Sequence, residues 1–149
     1  MKKRDEIRIE VQSDPRLLRA VRALAGGYLG SLDMDAERVN EIVLAVDEAC
    51  TNAIRHSYGG RKDGLLTLTF RHADDTVEIE LCDEGKPVPA ECLTPRELQV
   101  TDLSALKPGG LGLSLMRQAF DEVEFCPGEE KGNRVTMRLK LAVPDGVNR

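Results

Sequence analysis

Tryptophan is absent from this chain, and only two tyrosines and three phenylalanines are present. A core built from this composition must be mainly aliphatic. No run of residues approaches the roughly 20 consecutive apolar side chains needed to cross a bilayer. The N-terminal MKKRDEIRIEV has basic residues but no apolar h-region behind them, so it is not a signal peptide. The four cysteines (Cys50, Cys82, Cys92, Cys126) show no CxxC spacing and no histidine at zinc-ligand distance. They are expected to be reduced, mostly buried thiols of a cytoplasmic protein. Positive charge is not in excess: the net charge is −5. This argues against a nucleic-acid surface, because phosphate binding calls for clustered Lys and Arg. Internal repeats and low-complexity segments are also missing. What remains is a chain of 149 residues with 41% hydrophobic residues, suited to a single globular domain over 1–149.

Hydrophobic periodicity sets out its elements. Ile7, Ile9 and Val11 alternate with polar residues as in a strand. Ser13-Asp14-Pro15 is a helix start, and Leu17, Leu18, Val21, Leu24 and Ala25 follow at helical spacing, with Gly26-Gly27 weakening the far end. Asp33–Asp35 offers caps for a longer helix. Its stripe is Val39, Ile42, Val43, Val46, Ala49, Cys50, Ala53 and Ile54. Two alternating strands come next, one with Leu66, Leu68 and Phe70 and one with Val77, Ile79 and Leu81, joined by a turn at His72–Asp75. Residues 83–108 carry no strand pattern. Such a long connection is often a functional lid, and TPRELQ within it fits one short helical turn. A helix over about Leu111–Phe120 and a final strand pair, turning at Gly128–Asn133, complete the chain. The order β-α-α-β-β-loop-α-β-β predicts an α+β fold: a two-layer sandwich with helices on one face of a mixed, mostly antiparallel sheet.

Three segments carry chemistry. In VDEACTNAIRHSYGG, Glu48 and Asn52 stand four residues apart, at the border of the apolar stripe and on one helix face. Asn52 offers a carbonyl oxygen suited to Mg²⁺, which takes few protein ligands and leaves the rest to water and phosphate. Glu48 could accept a proton from an attacking hydroxyl. His56 continues the face and could reach a phosphate or a sugar. In DEGKP, Asp83 at a strand end could accept a hydrogen bond from an exocyclic amine. Gly85 would let backbone approach the base, and Pro87 would stiffen the exit. In GGLGL (Gly109–Leu113), glycines at a helix start let backbone N–H groups approach phosphate, with Lys107 just upstream. The pattern is neither a Walker A loop nor a Rossmann GxGxxG. Each segment by itself also fits a plain structural reading: a solvated helix face, an Asp-Glu-Gly turn, a glycine-rich connection. In this order and spacing they point together to a nucleotide pocket.

ExxxN on a helix, DxGxP after a strand and GGLGL before a helix resemble the Bergerat-fold ATPases, which include gyrase, heat-shock protein 90, mismatch-repair proteins and histidine kinases. DEACTNAIRHSY, DEGKPVP, GGLGLSLMRQAFDEVEF and GNRVTMRLKL look most like the anti-sigma-factor serine kinases of that group, over about Glu6–Leu141. The resemblance implies ATP or ADP and Mg²⁺ as ligands. It places Glu48 at the general base, Asn52 at the metal ligand and Asp83 at the adenine-binding acid, with Gly85, Pro87 and Val88 beside it. It places Gly109, Gly110, Leu111, Gly112 and Leu113 in the phosphate loop, and Lys107 near the basic lid residue. Arg19 falls loosely near a partner-contacting arginine. Asn133 stands where many relatives have a threonine near the adenine, and Pro87 and Val88 replace the more widespread glycine and isoleucine. The implied function is partner switching: the protein holds a sigma factor, and phosphorylates a Ser or Thr on an anti-anti-sigma protein. The phosphate's roughly −1.5 to −2 charge would disrupt docking of that partner. A homodimer in the cytoplasm is implied, without direct contact to nucleic acid or membrane. The alternatives are a nucleotide-binding module that sequesters its partner without phosphorylating it, and a fragment of a sensor kinase. The latter is disfavoured because His56 and His72 are the only histidines and no phospho-acceptor helix pair is present.

Overall fold

The computed structural model describes residues 4–88 and 110–141. Strand β1 (Arg4–Gln12) leads through a 3-10 turn (Pro15–Leu17) into α1 (Leu18–Gly30). Helix α2 (Ala36–Asn52) continues as a π-turn over Ala53–Ser57. Then come β2 (Leu65–Ala73), β3 (Thr76–Asp83), α3 (Gly110–Ala119), β4 (Glu122–Pro127) and β5 (Asn133–Lys140). The strands form one sheet in the order β1-β2-β3-β5-β4. Every pairing among the described residues is antiparallel, so the expected mixed sheet is here a uniform one. The α+β sandwich read from the sequence is the architecture found.

Period-2 alternation decides which face the helices cover. Cross-strand pairing places Ile7, Phe70, Ile79, Met137 and Val123 in one row across all five strands, and Ile9, Leu68, Leu81, Val135 and Phe125 in the next. Phe70, Ile79, Met137 and Leu68 are fully buried, packed in one cluster with Leu18, Val21 and Leu29 of α1, Ile42 and Val46 of α2, and Met116 of α3. Burying one such large side chain contributes about 1.5–3 kcal/mol. The rows taper at the edge, where Ile7 is 37% exposed.

The opposite face carries Glu6, Arg71, Glu78, Arg138 and Glu122 in a single row, one from each strand. Arg71 pairs with Glu6 at 3.0 Å and Glu78 at 2.9 Å, and Arg138 with Glu78 at 2.8 Å and Glu122 at 3.3 Å. Alternating charge on directly opposed residues stabilises each pair by roughly 0.2–1 kcal/mol. Such a face can be left to solvent without a second helical layer.

The helix starts follow their caps. The Asp35 side chain accepts from the Arg38 N–H at the head of α2. Asp14 caps the 3-10 turn, and hydrogen bonds from Arg16 hold its carboxyl down at about 2. Several expectations are corrected. Leu17 belongs to the 3-10 turn and is exposed. Helix α1 runs through Gly26-Gly27 to Gly30, because buried Tyr28 and Leu29 anchor its far end and offset the roughly 1 kcal/mol cost of each glycine. The hairpin turn is only Asp74-Asp75, with Asp74 at φ 58°. Of the described cysteines only Cys50 is buried; Cys82 and Cys126 are half-buried. Cys92, TPRELQ and the expected lid lie outside the described residues.

Candidate functional site

Apolar alternation carries the sheet to its own end. The row after Ile9 pairs Val11 with Leu66, Leu66 with Asp83, Asp83 with Asn133, and Asn133 with Pro127. Asp83 and Asn133 therefore point to the helix side, toward the C-terminal end of α2. Between them lies a cleft open to solvent, about 400 Å³ with its mouth included, with Asn52, His56 and Ser57 on one wall, Asp83 and Asn133 on the floor, and Met116 of α3 opposite.

The end of α2 is shaped by its π-turn, in which Tyr58 N–H bonds to Ala53 O, five residues back. The extra residue in the turn advances the buried face from i+4 to i+5. Counting from Asn52, the buried position is thus Ser57 and not His56, which is exposed at the cleft edge. Periodicity in the sequence extrapolated the helix straight through and missed Ser57. Partial desolvation at the cleft edge, and then Arg55, push the His56 pKa down, so at neutral pH it can offer a ligand a hydrogen bond but not a full charge.

Ser57 Oγ donates to Asp83 Oδ2 at 2.9 Å. Asp83 Oδ1 accepts from Gly85 N–H at 3.0 Å and from Asn133 Nδ2 at 3.0 Å. Asp83 is only 8% exposed. The loop after it is tied down from two sides: Lys86 N–H donates to Ser57 O at 2.8 Å, and Gly132 N–H donates to Gly85 O at 2.7 Å. Gly85 is required here by space, since an added Cβ would overlap the Ser57 backbone. Tyr58 braces the same loop, accepting from Glu84 N–H at 2.7 Å and donating to Leu65 O at 2.5 Å. Val88 is buried on the cleft wall and Pro87 half-buried beside it.

One turn of α2 separates Glu48 from Asn52. Asn52 is 8% exposed, deeper than the border position expected for it. Glu48 Oε2 and Asn52 Oδ1 are both shut off from solvent, and neither has a hydrogen-bond partner among the described residues. A buried acceptor without a partner costs about 1–3 kcal/mol, so two of them one turn apart mark a place built to meet a ligand. A carbonyl oxygen and a carboxylate oxygen suit a hard cation. No group of three or more His, Cys, Asp or Glu side chains that could hold a metal forms among the described residues. Mg²⁺ is a hard cation of this kind, usually held by one or two carboxylates with water and substrate phosphates supplying the rest. Glu48 does not line the cleft itself, whereas Asn52 does.

A model of the histidine kinase-like ATPase domain matches residues 11–139. The chain belongs to the histidine kinase-like ATPase domain family. ATP binding is the property that this domain brings. The chain is 32% identical over 126 residues to a serine-protein kinase RsbW of Bacillus pumilus, covering 80% of this chain and 77% of that one. It is 29% identical over 148 residues to an anti-sigma F factor of Heyndrickxia coagulans, covering 99% of both. Among solved structures, it superposes on the RsbU and RsbW domains of Rv1364c from Mycobacterium tuberculosis with TM-score 0.65 at 18% identity, covering 92% of this chain but only 32% of that longer one. It superposes on the SiaB-SiaC complex from Pseudomonas aeruginosa with TM-score 0.63 at 13% identity, covering 89% of this chain and 88% of that one. These two structures share the fold with it.

The third sequence segment is only partly within view. Gly110, Leu111, Gly112 and Leu113 form the first turn of α3, so the helix begins at Gly110 and ends at Ala119, one residue earlier at each end than expected. Lys107 and Gly109 lie outside the described residues. Arg19 is exposed on the first turn of α1. Tyr58 and Gly132 join Ser57 as site-building residues: Ser57 and Tyr58 lie within VDEACTNAIRHSYGG and Gly132 within the turn Gly128–Asn133, but nothing in those segments assigns them the contacts found here.

Proposed function

We propose that this protein is an ATP- and Mg²⁺-dependent serine/threonine kinase that works as an anti-sigma factor by partner switching. The observation that carries the proposal is the pair of buried, unpartnered oxygens on α2, Glu48 Oε2 and Asn52 Oδ1. Asn52 Oδ1 would hold the metal. Glu48, one turn back, would orient the substrate hydroxyl and accept its proton. Nucleotide binding alone needs no carboxylate there, which favours the kinase over a pure sequestration module. Asp83 would accept a hydrogen bond from the adenine amine, with Gly85, Pro87, Val88 and Asn133 forming the surroundings of the base and His56 reaching the sugar or a phosphate. The backbone at Gly109–Leu113 would approach the phosphates, with Lys107 adding charge. Bound Mg²⁺ would neutralise phosphate charge, on which phosphoryl transfer chiefly depends.

The relatives named serine-protein kinase and anti-sigma F factor support a protein partner for this chain. A sigma factor and a phosphorylatable anti-anti-sigma protein are the partners that the reading implies. A homodimer, a cytoplasmic location and a single ATPase domain over 1–149 go with it. No helix among the described residues is long and apolar enough to cross a membrane.

Isothermal titration with ATP, with and without Mg²⁺, tests the pocket. Micromolar binding that depends on the metal is expected, and Asn52→Ala should abolish the metal dependence. Equal ATP affinity for wild type and Asn52→Ala in the presence of Mg²⁺ would refute the metal assignment.

A further inference from the structure

We propose that Asn133 is a positioning residue that sets the selectivity of this site for purines bearing a 6-amino group. It would act through Asp83 and the 84–88 loop, without itself donating a hydrogen bond to the nucleotide. This inference rests on the nucleotide-binding reading above. The resemblance placed Asn133 beside the base, but the structure uses up its carboxamide nitrogen within the protein. Asn133 Oδ1 accepts from Val88 N–H at 2.8 Å. That contact fixes which end of the amide is which, so Nδ2 must face the other way. There it stands 3.0 Å from Ser57 Oγ, 3.0 Å from Asp83 Oδ1 and 2.9 Å from Lys86 O. An amide nitrogen has two hydrogens, and three protein acceptors already compete for them. No donor is left for a ligand.

The consequence falls on Asp83. A carboxylate has about four lone-pair sites. Three are taken by fixed donors: Gly85 N–H and Asn133 Nδ2 on Oδ1, and Ser57 Oγ on Oδ2. What remains is one acceptor position, on Oδ2, on a side chain that cannot turn to offer another. An amine entering the cleft finds an acceptor already aimed; a 6-oxo purine presents an acceptor to an acceptor. The same carboxamide also spans β5 to both Lys86 and Val88, so it sets how far the loop stands from the base. Ser57, which accepts from Asn133 while donating to Asp83, is the second member of this relay.

The test is the ratio of two affinities, measured by titration with Mg²⁺ present: ATP against purine riboside triphosphate, which lacks only the 6-amino group. Wild type should prefer ATP by roughly 10- to 100-fold, the size of one hydrogen bond to a charged acceptor. In Asn133→Ala the preference should shrink at least about fivefold. General loosening of the fold would weaken both nucleotides alike and leave the ratio unchanged. A ratio within twofold of wild type would overturn the proposal. If Asn133→Ala does not fold, Asn133→Thr decides the matter. Its hydroxyl can serve Asp83 but cannot also span to residues 86 and 88, so the ratio should fall part of the way, and an unchanged ratio overturns the proposal equally. Should wild type bind ATP and yet show no preference over purine riboside triphosphate, the role given to Asp83 falls, and this inference with it.

Discussion

Gly85→Ala is the sharpest test of how the cleft floor is built. The backbone there needs no positive φ, so the substitution acts through space alone. An added Cβ would overlap the Ser57 carbonyl oxygen, and would stand 2.7 Å from Ser57 C and 2.9 Å from Ser57 Cβ. These are backbone and buried atoms at the end of α2, which cannot step aside as an exposed side chain could. The 84–88 loop must therefore back away. Doing so stretches Lys86 N–H to Ser57 O (2.8 Å), Gly132 N–H to Gly85 O (2.7 Å) and Gly85 N–H to Asp83 Oδ1 (3.0 Å). Two of these are neutral bonds of about 0.5–1.5 kcal/mol, and the third involves a carboxylate, at about 1.5–3. Partial loss of the three, together with steric strain, gives about 2–4 kcal/mol of destabilisation. In urea unfolding, with a slope near 2 kcal/mol/M, the midpoint should fall by about 1–2 M. Gly27→Ala is the matched control. A Cβ there meets nothing within 4 Å, so removing a helical glycine should stabilise by about 0.5–1 kcal/mol. A Gly85→Ala midpoint within about 0.3 M of wild type would show that the loop is not seated on the π-turn as described.

Three further outcomes are expected. Glu48→Gln should keep ATP affinity while phosphotransfer to the partner drops by about 10²–10⁴-fold; transfer at the wild-type rate in a radiolabel assay would remove Glu48 from the chemistry. His56 has its folded pKa lowered by partial desolvation and Arg55, so between that value and the ordinary 6.5 the unfolded chain binds more protons. Stability should therefore fall as pH drops below about 6.5, and a His56→Gln variant should lose that part of the pH dependence; identical stability–pH curves would contradict it. Burial, and then Asp47, push the Cys50 thiol up to about 12, so at pH 8 the native protein should be labelled by a thiol reagent at Cys82 and Cys126 well before Cys50. Early modification of Cys50, seen by peptide mass, would place it nearer the surface than the core described.

Much of this was legible because two periods, 2 and 3.6, carry most of the fold. Leu66, Leu68 and Phe70, then Val77, Ile79 and Leu81, alternate cleanly because one sheet face is buried and the other solvated, and each of these side chains is at most 1% exposed. Asn52 and Glu48 were legible because i and i+4 share a face in any regular helix. The same assumption failed one turn later. Nothing in AIRHS announces a π-turn, since its cause is tertiary: Ser57 must meet Asp83 and Lys86 at once. Glycines were read too uniformly. At Gly26 and Gly27 the packing of α1 overrides propensity, while Gly132, visible in the sequence only as part of a turn, is required by its φ of +83° and its closeness to Asp83 O. Burial of a glycine against distant backbone leaves no periodic trace.

The position of the cleft follows from the sheet's own logic. Each apolar row runs across the strands under the helices, but the π-turn that closes α2 ends at Ser57, and the last row extends to the end of that cover. Leu66 in this row is still fully covered, but at Asp83 and Asn133 the inward-pointing side chains meet the open cleft. Apolar residues at those two positions would be left partly wetted, and unpaired polar ones would be costly. Asp83 and Asn133 meet the difficulty by bonding to each other, to Ser57 and to the neighbouring loop. Asn52, one turn deeper and with no such partner for its oxygen, is left as the acceptor that a ligand must satisfy. Structural need and binding capacity thus divide unevenly between adjacent polar groups: Asp83 and Asn133, which hold the cleft open, are nearly saturated, with one acceptor position left on Asp83 Oδ2, whereas the Asn52 oxygen has no partner among the described residues. Replacing Asn52 by Ala should therefore weaken Mg-dependent ATP binding while leaving the stability of the ligand-free protein undiminished, because it deletes a buried oxygen that the fold does not satisfy. A ligand-free destabilisation above about 2 kcal/mol in urea unfolding would show that Asn52 belongs with the nearly saturated groups instead.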